Sequence, residues 1–568
     1  MGRHRKLAFG LSGPAIVRLL TTAAVQALES RAITQAGPGV LMQRAGRAVA
    51  QQAQLLLRRL PGRPQILALI GPGNNGADAL VAATLLQSQG YQVSVTELFP
   101  QARRDAVSGA VFTQARGVLL RWIDPSQAEC ILDGTARTTR IAAVPDQAWL
   151  VLDGLFGIGL KRPLEGAAQT LVEASHRRDP QTVRVLSIDL PSGLNADTGL
   201  PIGSLVMRAD LTLTLLADKP GLHTGQAARW CGQVQLDTLG VEAQEPDAEG
   251  LGGAVVSALP PGAPHPAGEL YSMAQARTDR PVRMADDHKG RFGDLLVIQG
   301  TAATQGAAHL ALLGAQAVGA GRLFLGRDTP GAADPGHPEF MSRLLRKDTE
   351  GPEALGDAAA LVIGCGLGQD AQAIRCLEQA IPHPAALVLD ADALNLLAVI
   401  PALRTSLSRR GQSRREHRVS EPTAHCVITP HPLEAARLLG TSVQAVQADR
   451  LTSATTLART LDAVVVLKGA GTVVADPDGR WSVNASGGPL LAVAGTGDVL
   501  AGVIGGLLAQ GLSLWRAARL GVWLHGAAAD ALSGQAQWSG GIGLATPVLA
   551  PAIRRVLNTL MAAQAGSC

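Results

Sequence analysis

Short apolar runs alternate with longer helical patterns along most of this chain. The first series is Gln65–Ile70, Gln92–Leu98, Trp149–Leu152, Val183–Ile188 and Leu211–Leu216. The second is Leu295–Gln299, Arg322–Leu325, Leu361–Ile363, Leu387–Leu389, Cys426–Ile428 and Val464–Leu467. Runs of this length, separated by helix-length segments, predict the buried strands of mostly parallel sheets with helices on their faces. The expected fold class is α/β. Almost every run is followed at once by glycine, a carboxylate or a Thr-Pro pair. Open parallel sheets bind ligands beyond the carboxyl ends of their strands, so the polar motifs fall where a site is expected.

The alternation breaks at Pro246–Glu269, PDAEGLGGAVVSALPPGAPHPAGE, where no hydrophobic period survives. A linker at 246–269 leaves domains at 1–245 and 270–568, each of single-domain size. A basic, polar stretch within Leu403–Ala424 interrupts two strands and reads as a solvated surface insertion. Charged residues are only 17% of the 568, against ~25% in an average soluble protein, which suits tightly packed layers. A net charge of +4 gives no case for nucleic-acid binding. Cys130, Cys231, Cys365, Cys376, Cys426 and Cys568 show no CxxC and no regular spacing, so reduced thiols are expected. No apolar run approaches the ~20 residues that span a bilayer. Gly10, Ser12, Pro14 and Arg18 interrupt the one signal-like segment. These readings predict a cytoplasmic protein without membrane or nucleic-acid partners; a homo-oligomer is expected.

The most informative segment is Leu491–Leu508, LAVAGTGDVLAGVIGGLL. Its glycine turn delivers Asp498 to the start of an apolar, small-residue helix. Backbone N–H groups of such a turn converge on an anion, with the helix dipole behind them. Asp498 can then take a proton from a hydroxyl beside that anion. Five segments accompany it: HKGRFG (288–293), LVIGCGLG (361–368), VLDADALN (388–395), VITPHPLE (427–434) and VVVLKGAGT (464–472). Lys468 and the N–H groups of Gly469–Thr472 can hold nucleotide phosphate or ribose. The turn Gly495–Gly497 can neutralise a transferred phosphoryl group. Asp390 and Asp392 can hold Mg²⁺ through water. Singly, Lys468 also reads as a surface lysine, His431 as a loop histidine, and either aspartate as a helix cap. Their recurrence at successive strand ends favours chemistry. Taken alone, the set describes a small-molecule kinase.

In this order, the segments resemble the ribokinase-like dehydratase family that repairs hydrated nicotinamide cofactors. The resemblance covers essentially 270–565. It implies a ribokinase-like α/β domain that uses ADP or ATP, with Mg²⁺, to remove water from the S epimers of NADHX and NADPHX. The hydroxyl of the hydrate would be phosphorylated and then eliminated. The motif match implies hydrate contacts at Ala307, Gly366, His431 and Asp498. It implies adenine-nucleotide contacts at Lys468, Gly469, Ala470, Gly471, Thr472 and Gly497. The chain departs from the family at Ala494, usually glycine, in the approach GGPLLAVA, and at Thr304-Gln305, where an aromatic is common. Alanine at 494 requires a negative φ.

In the N-terminal half, GPGNNGADAL (71–80) follows the run LALI. Gly71, Gly73 and Gly76 let the backbone approach a phosphate, and Asn74 and Asn75 add amides. Asp153, in LDGLFGIGLKRPL, and Asp189, in SIDLPSGLNADTG, each end a strand, so both carboxylates can face one crevice. With LMQRAG (41–46), these segments resemble the epimerase family that interconverts R and S nicotinamide hydrates, over about residues 20–240. That resemblance implies a Rossmann-like three-layer sandwich with a K⁺ ion at Asn75, Asp153 and Ser192. Substrate would run along Asn74, Asn75, Gly76, Ala77 and Asp78, along Gly157, Ile158, Gly159, Leu160, Lys161, Arg162 and Pro163, and at Asp189. Asp189 is the candidate base, and Lys161 the candidate phosphate or acid partner. Ala77 and Ala79 replace family glycines. The whole chain then reads as a bifunctional cofactor-repair enzyme. The alternative is a small-molecule kinase fused to a nucleotide-binding domain, which predicts a stable phosphorylated product. A scaffold role for the first domain is disfavoured by the presence of Asp153, Asp189 and Lys161.

Overall fold

The computed structural model describes residues 16–135, 148–241, 264–328, 336–345, 351–416 and 425–562. The chain divides into two units, the first within Arg18–Ala258 and the second centred on Leu259–Cys568. The first is built on seven strands: β1 (Gln65–Ile70), β2 (Val93–Glu97), β3 (Arg121–Trp122), β4 (Trp149–Gly154), β5 (Val183–Ile188), β6 (Leu211–Leu215) and β7 (Gln233–Asp237). Every pair is parallel, and the order across the sheet is β3-β2-β1-β4-β5-β6-β7. The order reverses between β1 and β4, which opens a crevice at their carboxyl ends. Side chains sort with period two. Ile66, Ala68, Ile70, Leu150 and Leu152 pack against residues of helices Val40–Leu57 and Asn74–Ser88. Leu67, Leu69 and Val151 pack against residues of helices Pro125–Leu132 and Gly166–Arg177. Both faces are covered, hence the unbroken apolar runs.

The second unit carries β8 (Ala267–Tyr271), β9 (Asp294–Ile298), β10 (Arg322–Arg327), β11 (Phe340–Leu344), β12 (Ala360–Ile363), β13 (Ala386–Leu389), β14 (Val427–Ile428), β15 (Val464–Leu467), β16 (Val473–Ala475) and β17 (Trp481–Asn484). Their order is β8-β17-β16-β15-β14-β13-β12-β9-β10-β11. Pairing is parallel from β11 to β15, β16 is antiparallel to both neighbours, and β8 is parallel to β17. Leu295, Val297, Val362 and Val388 pack under helices Gln305–Val318, Thr496–Ala509, Leu514–Ser533 and Leu549–Ala562.

All eleven predicted runs are strands, three with the same ends and the rest with ends shifted by no more than two residues. The strands not predicted are short or lie toward sheet edges, as β3, β7, β8 and β11 do, or form the β16–β17 ribbon, where polar residues break the apolar signal. Ala267–Tyr271 is a strand, so the linker expected at 246–269 gives way to sheet by Ala267; 242–263 lie outside the described residues. The basic insertion expected within 403–424 is corrected. Pro401–Glu416 is a helix, and 417–424 lie outside the described residues. Arg410 is buried and donates to the carbonyls of Ile381, His383, Ala385 and His425. An arginine with five donors can satisfy several buried carbonyls at once, a role that composition does not reveal.

Candidate active sites

In the second unit, four strand ends and one helix start supply a site. Strand β12 runs into Gly364–Gly366, β13 into Asp390, β14 into Thr429–His431 and β15 into Lys468. Lys468 Nζ donates to Asp390 Oδ1 at 2.8 Å and lies 4.0 Å from Glu434 Oε2. Gly497 backs onto this pair: a Cβ built there would sit 3.3 Å from Lys468 Nζ and 3.9 Å from Asp390 Oδ2. Donor atoms of Cys365, Asp390 and Asp498 lie within 4.8 Å of one another. Residues read from separate motifs thus meet at one place.

The turn before Asp498 is pinned from several sides. Gly495, at φ 86°, caps the helix in a conformation that favours glycine, while Ala494 has no positive φ and so accommodates its methyl group. Thr546 Oγ1 donates to the Ala494 carbonyl at 2.7 Å. Thr496 Oγ1 reaches the carbonyls of Leu491 and Val493 at 3.1 and 3.0 Å. His525 Nε2 lies 2.9 Å from the Thr496 carbonyl. Burial pushes that imidazole down to about 4, so a neutral ring donates Nε2–H. The first N–H groups of helix Thr496–Ala509 lack intrahelical acceptors and are available to an anion.

Electrostatics divide the labour. Burial, then the neighbouring Asp390, raise the Asp498 carboxyl to about 6, so it is mostly ionised at neutral pH yet basic enough to take a proton. Burial raises Glu434 to about 7. Burial alone would lower the Lys468 ammonium, but Asp390 and Glu434 outweigh it and hold the group above its ordinary value. Burial, then Asp390, push the Cys365 thiol well up, so it stays neutral.

The remaining motif residues are distributed around this centre. A Cβ on Gly366 would lie 3.1 Å from the Ala307 methyl, and Thr304 Oγ1 donates to the Gly366 carbonyl at 2.6 Å. His431 caps helix Pro432–Leu439: its Nδ1 accepts from Leu433 N and Glu434 N at 3.1 and 3.2 Å, and Glu434 Oε2 accepts from His431 N at 2.7 Å. Burial, then Lys468, lower its imidazole. Gly469 and Ala470 are exposed in the turn that follows Lys468, and Thr472 Oγ1 donates to the Gly469 carbonyl at 3.0 Å. Arg450 supports this strand end by donating to the carbonyls of Leu467 and Lys468. The two aspartates expected to share Mg²⁺ are employed differently. Asp390 pairs with Lys468, whereas Asp392 accepts from Gly368 N at 2.9 Å and Gln369 Nε2 at 3.3 Å and so ties down a loop. Sequence reasoning missed His525 and Arg450, a lone histidine and a lone arginine in helices with nothing local to mark them.

In the first unit, the crevice between β1 and β4 gathers the N-terminal motifs. A Cβ on Gly71 would lie 1.6 Å from the Leu155 carbonyl oxygen, so only glycine allows this approach of the two strand ends. Asp153 is fully buried: Oδ1 accepts from Ser192 Oγ at 2.6 Å, and Oδ2 from Ser187 Oγ at 2.8 Å and Ser192 N at 3.0 Å. Among the described residues no cationic side chain pairs with it. Asn75 is buried, and its Nδ2 has no partner. Asn74 instead turns aside, where its Oδ1 accepts from Ser108 Oγ at 3.1 Å. Gly76, Ala77 and Asp78 are buried in the first turns of helix Asn74–Ser88. A Cβ on Gly157 would lie 3.6 Å from both the Asn75 side chain and Asp189 Oδ2, so these two groups flank the loop Gly157–Pro163. Along that loop Ile158 and Leu160 pack inward, while Gly159, Lys161, Arg162 and Pro163 are exposed.

Asp189 sits at φ 66°, a rare conformation for a residue with a Cβ. It pairs with Lys219, whose Nζ lies 2.6 Å from Asp189 Oδ1. Burial, then Asp189 and Glu29, raise the Asp78 carboxyl well above its ordinary value. Burial, then Asp189, raise Glu29. Lys219, in ADKPG just past β6, was missed; a lysine directly after an apolar strand was its one signal.

Comparison with known proteins places each half of the chain in a family. A family model described as NAD(P)H-hydrate dehydratase matches residues 295–541, and one described as YjeF-related protein N-terminus matches 38–221. A bifunctional NAD(P)H-hydrate repair enzyme Nnr of Moorella thermoacetica is 33% identical over 512 residues, covering 86% of this chain and 87% of that protein. One of Gloeobacter violaceus is 36% identical over 541 residues, covering 92% and 95%. An ADP-dependent (S)-NAD(P)H-hydrate dehydratase of Neisseria meningitidis is 42% identical over 284 residues, covering 49% of this chain and 90% of that protein. A solved ADP/ATP-dependent NAD(P)H-hydrate dehydratase of Bacillus subtilis, co-crystallised with ATP/Mg²⁺, is 29% identical with a TM-score of 0.42, covering 51% and 98%.

Proposed function

The chain belongs to the bifunctional NAD(P)H-hydrate repair enzymes, and from that premise we propose that it returns NADHX and NADPHX to the reduced cofactors. The unit on β1–β7 epimerises the R and S hydrates, and the unit on β8–β17 dehydrates the S form at the expense of ADP or ATP. We assign these activities to domains at 1–245 and 270–568. In the second, the hydroxyl oxygen of the hydrate attacks the terminal phosphorus, displacing AMP from ADP or ADP from ATP, and its proton passes to Asp498; the C–O bond of the new ester then breaks to release phosphate, the adjacent ring carbon gives up a proton to water, and that electron pair restores the ring double bond. Lys468, Gly469–Thr472 and Gly497 hold the nucleotide, and Ala307, Gly366 and His431 line the hydrate. Asp390 and Asp498 would supply oxygens to a Mg²⁺ ion bound with the nucleotide, which would neutralise charge on its phosphates. The convergence of Lys468, Asp390, Gly497 and Asp498 carries this reading.

In the first unit, Asp189 is the base, and Asn74–Asp78 with Gly157–Pro163 hold substrate, Lys161 meeting its phosphate. Among the described residues Asp153 is fully buried without a cationic partner, and its carboxylate, Ser192 Oγ bonded to it and the buried Asn75 side-chain oxygen make an all-oxygen donor set that fits K⁺. Bound there, K⁺ would neutralise that carboxylate and order the substrate loop. No helix among the described residues is long and apolar enough to cross a membrane; we place the enzyme in the cytoplasm, as a homo-oligomer.

The test mixes the full chain with chemically hydrated NADH and follows dihydronicotinamide absorbance with ADP, with ATP, and without nucleotide. Recovery with ADP or ATP alone supports the reading. A stable phosphorylated product without recovery supports a small-molecule kinase instead.

A further inference from the structure

Lys219 is the buried cation of the N-terminal site, and the local fold is built around its ammonium group. It is fully buried. Its Nζ donates to Asp189 Oδ1 at 2.6 Å, Thr214 Oγ1 at 2.7 Å, the Ala217 carbonyl at 2.9 Å and the Leu215 carbonyl at 3.2 Å. An ammonium has three protons, so this cradle satisfies all of them without water. The backbone bends to make it: Leu216 adopts φ 69°, which lies between the two carbonyls that face Nζ. Asp189, on the neighbouring strand end, is also held at positive φ, and its Oδ1 takes a second bond from Leu215 N at 3.2 Å. Two left-handed non-glycine residues at one place persist only where surrounding contacts over-determine them. Oδ1 of Asp189 is thus fully committed, while Oδ2 faces the Gly157 loop.

We propose that Lys219 is the positioning residue of the epimerase: by fixing Asp189 Oδ1, it aims Oδ2 at the substrate carbon's proton or hydroxyl and keeps a cation at the base. This rests on Asp189 being the epimerase base. The lysine acts through Asp189 and touches no substrate, so its loss lowers kcat and leaves KM nearly unchanged.

The experiment uses the full chain and R-enriched NADHX, with epimers separated by chromatography. Dehydration of the S epimer by the same preparation reports an intact C-terminal unit, and a melting transition matching wild type reports a folded N-terminal unit. Asp189→Asn comes first; a wild-type rate there overturns the reading beneath this proposal. With Asp189→Asn inactive, Lys219→Met is expected to lower kcat about 100-fold, with KM within about threefold. Lys219→Arg, which retains the charge, is expected to recover about tenfold of that loss. Thr214→Val, which removes one anchor while leaving the ion pair, is expected to lower kcat about three- to tenfold and serves where Lys219→Met does not fold. The proposal is overturned if Lys219→Met or Thr214→Val matches wild type, if KM rises as much as kcat falls, or if Lys219→Arg recovers nothing.

Discussion

Gly502 lies one turn beyond Asp498, where helix Thr496–Ala509 crosses helix Gln305–Val318. A Cβ built on Gly502 would lie 1.8 Å from the Ala311 carbonyl oxygen, about 1.6 Å short of the 3.4 Å at which ordinary contact begins. The facing helix does the same in return: a Cβ on Gly314 would lie 2.2 Å from the Val499 carbonyl oxygen. The obstacles are backbone atoms, so no rotamer change relieves them. In Gly502→Ala the helices must part by roughly the missing distance. Alanine contributes up to about 1 kcal/mol of helix propensity, but overpacking costs about 1–3 kcal/mol, so the net effect is destabilising. The functional cost is larger, because the same helix carries Asp498 and the anion-binding N–H groups at its start. A displacement near 1 Å costs on the order of 100-fold in rate. Gly502→Ala should therefore reduce ADP-dependent recovery of NADH about 100-fold, lower the melting temperature of this unit by a few degrees, and leave epimerisation of the R hydrate unchanged. Wild-type recovery together with a wild-type melting temperature would refute the steric reasoning. A stable variant that has lost epimerisation as well would refute the separation of the two activities.

Other outcomes follow from the same geometry. Because the Asp498 carboxyl is raised to about 6, its ionised form predominates above that pH and is lost as pH falls through it. Dehydration should decline about tenfold per pH unit below 6, and Asp498→Asn should remove that limb and lower the rate by about 10²- to 10⁴-fold at neutral pH. Lys468→Met should raise KM for ADP about tenfold or more, measured by initial rates, since it deletes the cation and leaves Asp390 without its ion pair. Asp153→Ala should destabilise the N-terminal unit by about 3 kcal/mol in urea titration, since Ser187 and Ser192 lose a buried acceptor. It should also abolish any K⁺ dependence of epimerisation.

The fold was largely legible because both sheets are covered on both faces. Buried parallel strands must be apolar on every residue, which writes the runs 65–70, 183–188 and 464–467 directly into the chain. The glycine turns were legible for a related reason: Gly71 and Gly495 occupy positions that admit no ordinary side chain. Short edge strands and the β16–β17 ribbon carry no such demand. What no local pattern fixes is which partner a charged side chain meets. Sequence named Asp189 as a candidate base but no cation beside it, and the strand order sets the segment after β6 beside the end of β5 and brings Lys219 to that carboxylate. Sequence named Asp390 and Asp392 as one pair, but the fold separates their tasks, giving one to Lys468 and the other to the Gly368 backbone. His525 became part of the site only because helix Leu514–Ser533 packs behind the turn. The sequence by itself determined the elements, the turns and the candidate acids, since these follow from burial, sterics and spacing along the chain. Tertiary structure alone decided the ion pairs and the orientation of the bases, because electrostatic partners are set by distance in space and not by distance along the chain.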